Sequence, residues 1–129
     1  MNRTVLDASA LVALLLGEPG QEPVWEEVRT GEALIGAPNW AEVVGILGRA
    51  GLPARELRTA LDELQLEVAP LDQVLALEAG LMEARIRPLG LSLGDRCCLA
   101  LAERERATVL TTDRAWLKWK GKAKVLCLR

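Results

Sequence analysis

Short unbroken apolar runs recur along the chain at Val5-Leu6, Ala33-Leu34-Ile35, Val68-Ala69, Val109-Leu110 and Val125-Leu126-Cys127. Runs without polar alternation mark strands covered on both faces, as in a parallel sheet. Between them lie stretches with apolar residues at helical spacing. These predict helices over residues 8–16, 24–29, 39–50, 54–66, 71–85, 92–106 and 114–119. Gly17-Glu18-Pro19-Gly20, Gly31 and Gly51-Leu52-Pro53 punctuate them. Pro38 is read as an interruption after the second strand. Asn39 with Glu42, and Ser92 with Asp95, carry the spacing of a capping box. Strands separated by helices, with no hairpin signal, predict an α/β fold: one domain over residues 1–129, with about five parallel strands flanked by helices on both faces.

The first run stops abruptly on Asp7 and continues as Ala8-Ser9-Ala10. A central strand ending on an acid puts that acid at the edge where an open α/β sheet offers a crevice to ligands. Three other acids share its local setting. Asp113 follows the Thr108-Val109-Leu110-Thr111 strand, whereas Glu42 and Asp95 stand in the first turn of helices that begin at the same edge. Taken singly, each acid has a bland role as a helix cap. Capping does not require four acids to converge, however, and four like charges in one crevice repel unless a cation shares it. Oxygen-only ligands point to Mg²⁺ or Mn²⁺, one ion or two. Such an ion lowers the pKa of a bound water and neutralises charge developing on phosphorus, which suits phosphodiester hydrolysis. The hydroxyls of Ser9 and Thr111 stand two residues from Asp7 and Asp113, placed to orient ligands or to make ordinary turn and strand bonds.

Composition narrows the chemistry. Among 129 residues there is no histidine, which removes Ser-His-Asp and Cys-His nucleophiles and histidine-ligated zinc. Three cysteines without C-x-x-C spacing suit small buried thiols in a reducing cytoplasm. The net charge of −2 argues against a polybasic nucleic-acid wrapper while leaving room for a local basic path. No signal peptide and no apolar run of membrane-spanning length is expected.

Val5-Leu6-Asp7-Ala8-Ser9-Ala10-Leu11, Asn39-Trp40-Ala41-Glu42-Val43, Leu91-Ser92-Leu93-Gly94-Asp95-Arg96 with Leu99-Ala100-Leu101-Ala102, and Val109-Leu110-Thr111-Thr112-Asp113-Arg114 resemble, in order and spacing, the PIN-domain ribonucleases, especially the VapC toxins of VapBC toxin–antitoxin pairs. The resemblance covers essentially the whole chain. It implies a five-stranded parallel sheet, an acidic Mg²⁺/Mn²⁺ site, endonucleolytic cleavage of RNA, a homodimer, and an antitoxin whose C-terminal segment covers the active site. Carried over residue by residue, the catalytic and metal-binding quartet is Asp7, Glu42, Asp95 and Asp113, with Thr111 as polar neighbour.

Other features read two ways. Lys118, Lys120, Lys122 and Lys124 with Trp116 and Trp119 make either solvated lysines around a turn with tryptophans in the core, or a path for an RNA backbone. Arg85 and Arg87 either compensate a helix C-terminus or hold phosphates. Arg96 and Arg114, each beside a quartet acid, are further RNA-binding candidates, although neighbours on a helix diverge by about 100° and cannot easily pair with the acid next to them. The amphipathic helices over 54–66 and 71–85 offer faces for a second copy or an antitoxin helix. Two alternatives stand beside the nuclease: a PIN-like module that binds RNA or protein without cutting, and a phosphatase using Asp7 as nucleophile. The phosphatase is disfavoured by Ser at position 9, where that chemistry usually wants a second acid.

Overall fold

A computed structural model describes residues 3–129 of the chain. Five parallel strands form one sheet: β1 Thr4–Leu6, β2 Ala33–Gly36, β3 Glu67–Ala69, β4 Thr108–Thr111 and β5 Lys124–Cys127. Their order across the sheet is β3-β2-β1-β4-β5. The chain steps outward from β1 to β3 and then returns to the other side of β1. The point where the order reverses lies between β1 and β4, and there the carboxyl ends of the strands open a crevice.

The unbroken apolar runs have the predicted cause. Val5, Leu34 and Val109 face one core, packed by α5 (Gln73–Leu81) and α7 (Leu93–Glu105); their neighbours Leu6, Ile35 and Leu110 face the other. That second core is packed by α1 (Ala8–Leu16), α2 (Gln21–Arg29), α3 (Ala37–Arg49) and α4 (Ala54–Glu63). All six residues are buried, so in the three central strands alternate positions meet helix layers on opposite sides, whereas the edge strands β3 and β5 are partly exposed. No helix among the described residues is long and apolar enough to cross a membrane.

Several element boundaries differ from the sequence reading. Pro38 does not interrupt the chain; it sits in the first turn of α3, which starts at Ala37 with Gly36 as its N-cap. A first-turn proline sacrifices no helical hydrogen bond. Pro23 does the same in α2, which therefore begins at Gln21 rather than at residue 24. Helix α4 closes at Glu63, short of residue 66, and Gln65 adopts a left-handed φ of 50°. The single helix expected over 71–85 is divided. Helix α5 starts after the N-cap Asp72, whose carboxylate accepts the Leu75 N–H, and ends at Leu81. A one-turn helix α6 (Glu83–Ile86) and a 3₁₀ turn over Arg87–Leu89 follow. Met82 and Ile86 are both buried and pin this descent to the core. The last helical segment is 3₁₀, over Arg114–Lys118.

Candidate active site

Asp7 is the first residue beyond β1 and the N-cap of α1. It is 3% exposed, which for an acid demands partners. Its Oδ1 accepts from the Ser9 hydroxyl at 2.7 Å and from the Ala10 N–H at 2.9 Å, and its Oδ2 accepts from the Thr111 hydroxyl at 2.5 Å. Because Leu6 is in register with Leu110, the next residue of each strand places Thr111 directly beside Asp7. The hydroxyls are held in turn. Ser9 Oγ accepts the Thr112 N–H at 2.9 Å, and Thr111 Oγ1 accepts the Asp113 N–H at 3.0 Å. Ser9 and Thr111 thus clamp the Asp7 carboxylate and fasten the turn that carries Asp113.

Asp95 belongs to a formed capping box at the start of α7: its Oδ2 accepts the Ser92 N–H at 2.8 Å while Ser92 Oγ accepts the Asp95 N–H at 3.2 Å. Asp113 is exposed, and its Oδ1 accepts the Ala115 N–H at 2.9 Å. The box expected of Asn39 and Glu42 does not form, since α3 begins earlier and Asn39 lies inside it, 1% exposed. Asn39 instead reaches across to α7: its Nδ2 donates to the Gly94 carbonyl at 3.1 Å and to Glu42 Oε1 at 3.4 Å. The four acids line one crevice of about 300 Å³ together with Ser9, Thr112, Glu18 and Arg129. A larger hollow, of about 520 Å³, lies at the opposite edge of the sheet around Arg106, Lys122 and Lys124, away from the carboxylates.

Like charges and burial act together here. Burial pushes Asp7 up to about 6, the hydrogen bonds from Thr111, Ser9 and Ala10 resist the rise, and the charge of Asp95 adds to it. Glu42 is also raised, first by desolvation and then by the charges of Asp95 and Asp7. Asp95 rises by burial, against its Ser92 bonds, with Asp113 contributing repulsion. Neither Arg96 nor Arg114 forms an ion pair with a carboxylate among the described residues, so neither neutralises the crevice. The guanidinium of Arg129 is fixed at the rim by Glu18 Oε1 at 2.9 Å and the Pro19 carbonyl at 2.9 Å. Among the described residues no three metal-type side chains are gathered tightly enough to enclose an ion by themselves.

Gly94 has a role the sequence reading missed. A Cβ at this position would overlap Glu42 Oε1 and come within 3.0 Å of its Cδ. The bare backbone of α7 is therefore what lets the Glu42 side chain lie against the Asp95 turn. A glycine in a helix's first turn costs propensity without evident local gain, and that is the available signal. Gly94→Ala is expected to leave the melting temperature unchanged or slightly raised, because Glu42 is flexible and alanine favours helix, while displacing the Glu42 carboxylate. Thermal melts check the first part; on the reading that the quartet serves a nuclease, cleavage falls roughly tenfold or more with an intact melt.

The remaining candidates lie elsewhere. Arg85, Lys118 and Lys120 border a separate hollow with Trp119. Arg87 is exposed and 3.9 Å from Glu83. Trp116 is fully buried, as the core reading of the tryptophans expected.

Fold and crevice together define a parallel α/β domain with an acid-lined crevice at its switch point. The chain belongs to the PIN domain family, a family of nucleases, which it matches over residues 4–122. No curated protein matches it significantly. Among solved structures it is similar to a DNA-bound VapBC from Salmonella typhimurium, with 18% identity, all of both chains covered and a TM-score of 0.79. It is also similar to VapBC2 from Rickettsia felis bound to a promoter DNA fragment, with 16% identity, 95% and 96% coverage and a TM-score of 0.72. A toxin–antitoxin complex from Klebsiella pneumoniae matches at 21% identity over 98% of each chain, with a TM-score of 0.70. These likenesses show a shared fold.

Proposed function

We propose that this chain is a divalent-metal-dependent endoribonuclease acting as the toxin of a toxin–antitoxin pair. The observation that carries the reading is Asp7, buried at the β1/β4 switch point with its pKa raised to about 6 while Glu42, Asp95 and Asp113 line the same crevice. The donor set fits Mg²⁺ or Mn²⁺: it is all carboxylate, and Asp95 Oδ1, Asp113 Oδ2 and Glu42 Oε2 make no hydrogen bond among the described residues. Their spread round the crevice suits an ion that keeps several waters. Asp7, Glu42, Asp95 and Asp113 would hold it. When bound, it activates water for attack on a phosphodiester and offsets charge on the departing oxygen. Ser9 and Thr111 keep the Asp7 carboxylate turned to the crevice, and the Ser92 box does the same for Asp95.

Partners follow the family's toxins and the surfaces on this chain. Helix α5 exposes Val74, Leu77 and Leu81 on one stripe, a face for a second copy of the chain. Between α3 and α4 an apolar hollow of about 380 Å³, bordered by Trp40, Val44, Leu57 and Leu61, suits an apolar antitoxin segment. The toxin–antitoxin complexes among the similar structures support that pairing.

Metal binding tests the reading without reference to activity. Mn²⁺ added to metal-free protein at about a hundred times its Kd is expected to stabilise the fold by about 2.7 kcal/mol, raising Tm by several degrees. The rise disappears in Asp7→Asn. A melt indifferent to Mn²⁺ and Mg²⁺, with no heat of binding in calorimetry, overturns the metal-site assignment.

A further inference from the structure

We propose that the hollow bordered by Arg85, Lys118, Trp119 and Lys120 is an anion site that seats the phosphodiester backbone of the RNA strand beyond the scissile crevice. The identity of the strand rests on the nuclease reading; the site itself rests on four observations. First, the hollow, about 230 Å³, is lined by three cations and no carboxylate. Second, none of the three cations forms an ion pair among the described residues, so no carboxylate offsets their charge. Unlike the larger hollow around Arg106, Lys122 and Lys124, which Glu103 also lines, this one holds positive charge with no acid in its wall, and such a concavity attracts an anion.

Third, the wall is built and rigid. The Trp119 indole donates its Nε1–H to the Ala123 carbonyl at 3.0 Å, and Gly121 packs so closely on its six-membered ring that any side chain there would overlap it. The Arg85 guanidinium lies over the indole, 5.5 Å from the ring centroid. Cation–π contact holds the guanidinium in place while leaving its N–H groups for an acceptor. The indole N–H is already used and one ring face is occupied, so this tryptophan supports Arg85 instead of serving as an open stacking platform. Planar guanidinium groups favour phosphate geometry, and the two lysines supply mobile point charges beside it.

Fourth, the site is connected to the catalytic crevice. The 3₁₀ segment Arg114–Lys118 begins at its N-cap Asp113 and ends at Lys118. At about 2 Å rise per residue it places the hollow about 10 Å from Asp113 along the surface. A strand whose scissile phosphate sits among the quartet reaches the hollow with a neighbouring phosphate. The acids then face the reacting group, the cations hold the flanking backbone, and repulsion between acidic crevice and RNA is offset at a second point.

The test reads binding of a fluorescein-labelled, mixed-sequence single-stranded RNA to the full chain in EDTA, by anisotropy, from 50 to 200 mM salt. Lys118→Gln/Lys120→Gln is expected to flatten the slope of log K against log salt by about 1.4, the release expected for two phosphate contacts on a single strand. Adding Arg85→Gln flattens it further. Arg49→Gln/Arg55→Gln removes equal charge from another face and is expected to leave the slope unchanged. The lysines are exposed, so the double variant keeps its fold, which a thermal melt checks. A slope unchanged in the lysine variant, a fall equal to that of the control pair, or no RNA binding by the parent overturns the site. Cleavage is scored separately with metal: a parent that binds with the expected slope but never cuts RNA defeats the nuclease reading and leaves the anion site standing.

Discussion

Replacing Asp7 by Asn is expected to cut RNA cleavage by orders of magnitude and to make the metal-free protein more stable. The native protein holds the Asp7 proton more tightly than the unfolded chain does, with a pKa of about 6 against an ordinary aspartate value of 3.8. An acid raised in this way favours the folded state fully below about pH 4. That advantage fades between about pH 4 and 6, and above pH 6 the buried charge carries its whole cost, about 3 kcal/mol. Asparagine keeps the shape and is neutral at every pH. Its Oδ1 accepts from Ser9 and Ala10 as the carboxylate does, and its Nδ2 meets Thr111 Oγ1 as a donor. Thermal melts of metal-free protein at pH 5 and pH 7.5 check this. The parent melts lower at pH 7.5 than at pH 5, and Asp7→Asn melts higher than the parent by roughly 10 °C at pH 7.5. Cleavage falls by about 10³-fold, since the variant loses a charged anchor of the transition state. On the proposed reading the buried charge is kept for function at a cost to stability, and its removal stabilises the fold.

Trp116→Ala is expected to be the most damaging single change outside the crevice. Trp116 is fully buried in the α5/α7 core and sits in the 3₁₀ segment that starts at Asp113. Truncating it leaves a cavity costing roughly 3–5 kcal/mol, which lowers Tm by more than about 10 °C. It also loosens the segment that carries Asp113, so residual folded protein loses activity out of proportion to its population. The indole Nε1 is buried without a hydrogen-bond partner among the described residues. Trp116→Phe gives up no hydrogen bond, fills most of the space and recovers most of the stability, which separates packing from polar contact. Urea titrations of both variants check the ranking.

How much of this was legible in the sequence varies with the range of the interactions. Asp7, Asp95 and Asp113 stood out because each closes a local pattern, an apolar run or a Ser-x-x-Asp box, and local patterns survive folding. The parallel sheet followed from runs such as Val5-Leu6 and Val109-Leu110, whose two faces meet two cores. The Asn39 box failed because Pro38 is compatible with a helix's first turn, so α3 gains a turn and carries Asn39 inside. Gly94 shows no role in local spacing, since its reason is the Glu42 carboxylate arriving from another helix. The same holds for Arg129 against Glu18 and for Arg85 over Trp119. These are tertiary approaches that leave no trace in local spacing. The break after Leu81 was invisible for a different reason: apolar residues surround α5 on all sides, and periodicity alone cannot mark where the helix stops.

The central claim is that the four carboxylates are a hydrolytic metal site. It is tested most directly by cleavage of a mixed RNA pool, structured tRNAs included, by partner-free protein with Mg²⁺ or Mn²⁺, with EDTA, and with Asp95→Asn in parallel. Asp95→Asn retains its amide oxygen for the Ser92 N–H and so keeps the cap and the fold. The account predicts metal-dependent cleavage by the parent and none by Asp95→Asn or in EDTA; cleavage by a folded Asp95→Asn protein at the parent's rate would contradict it.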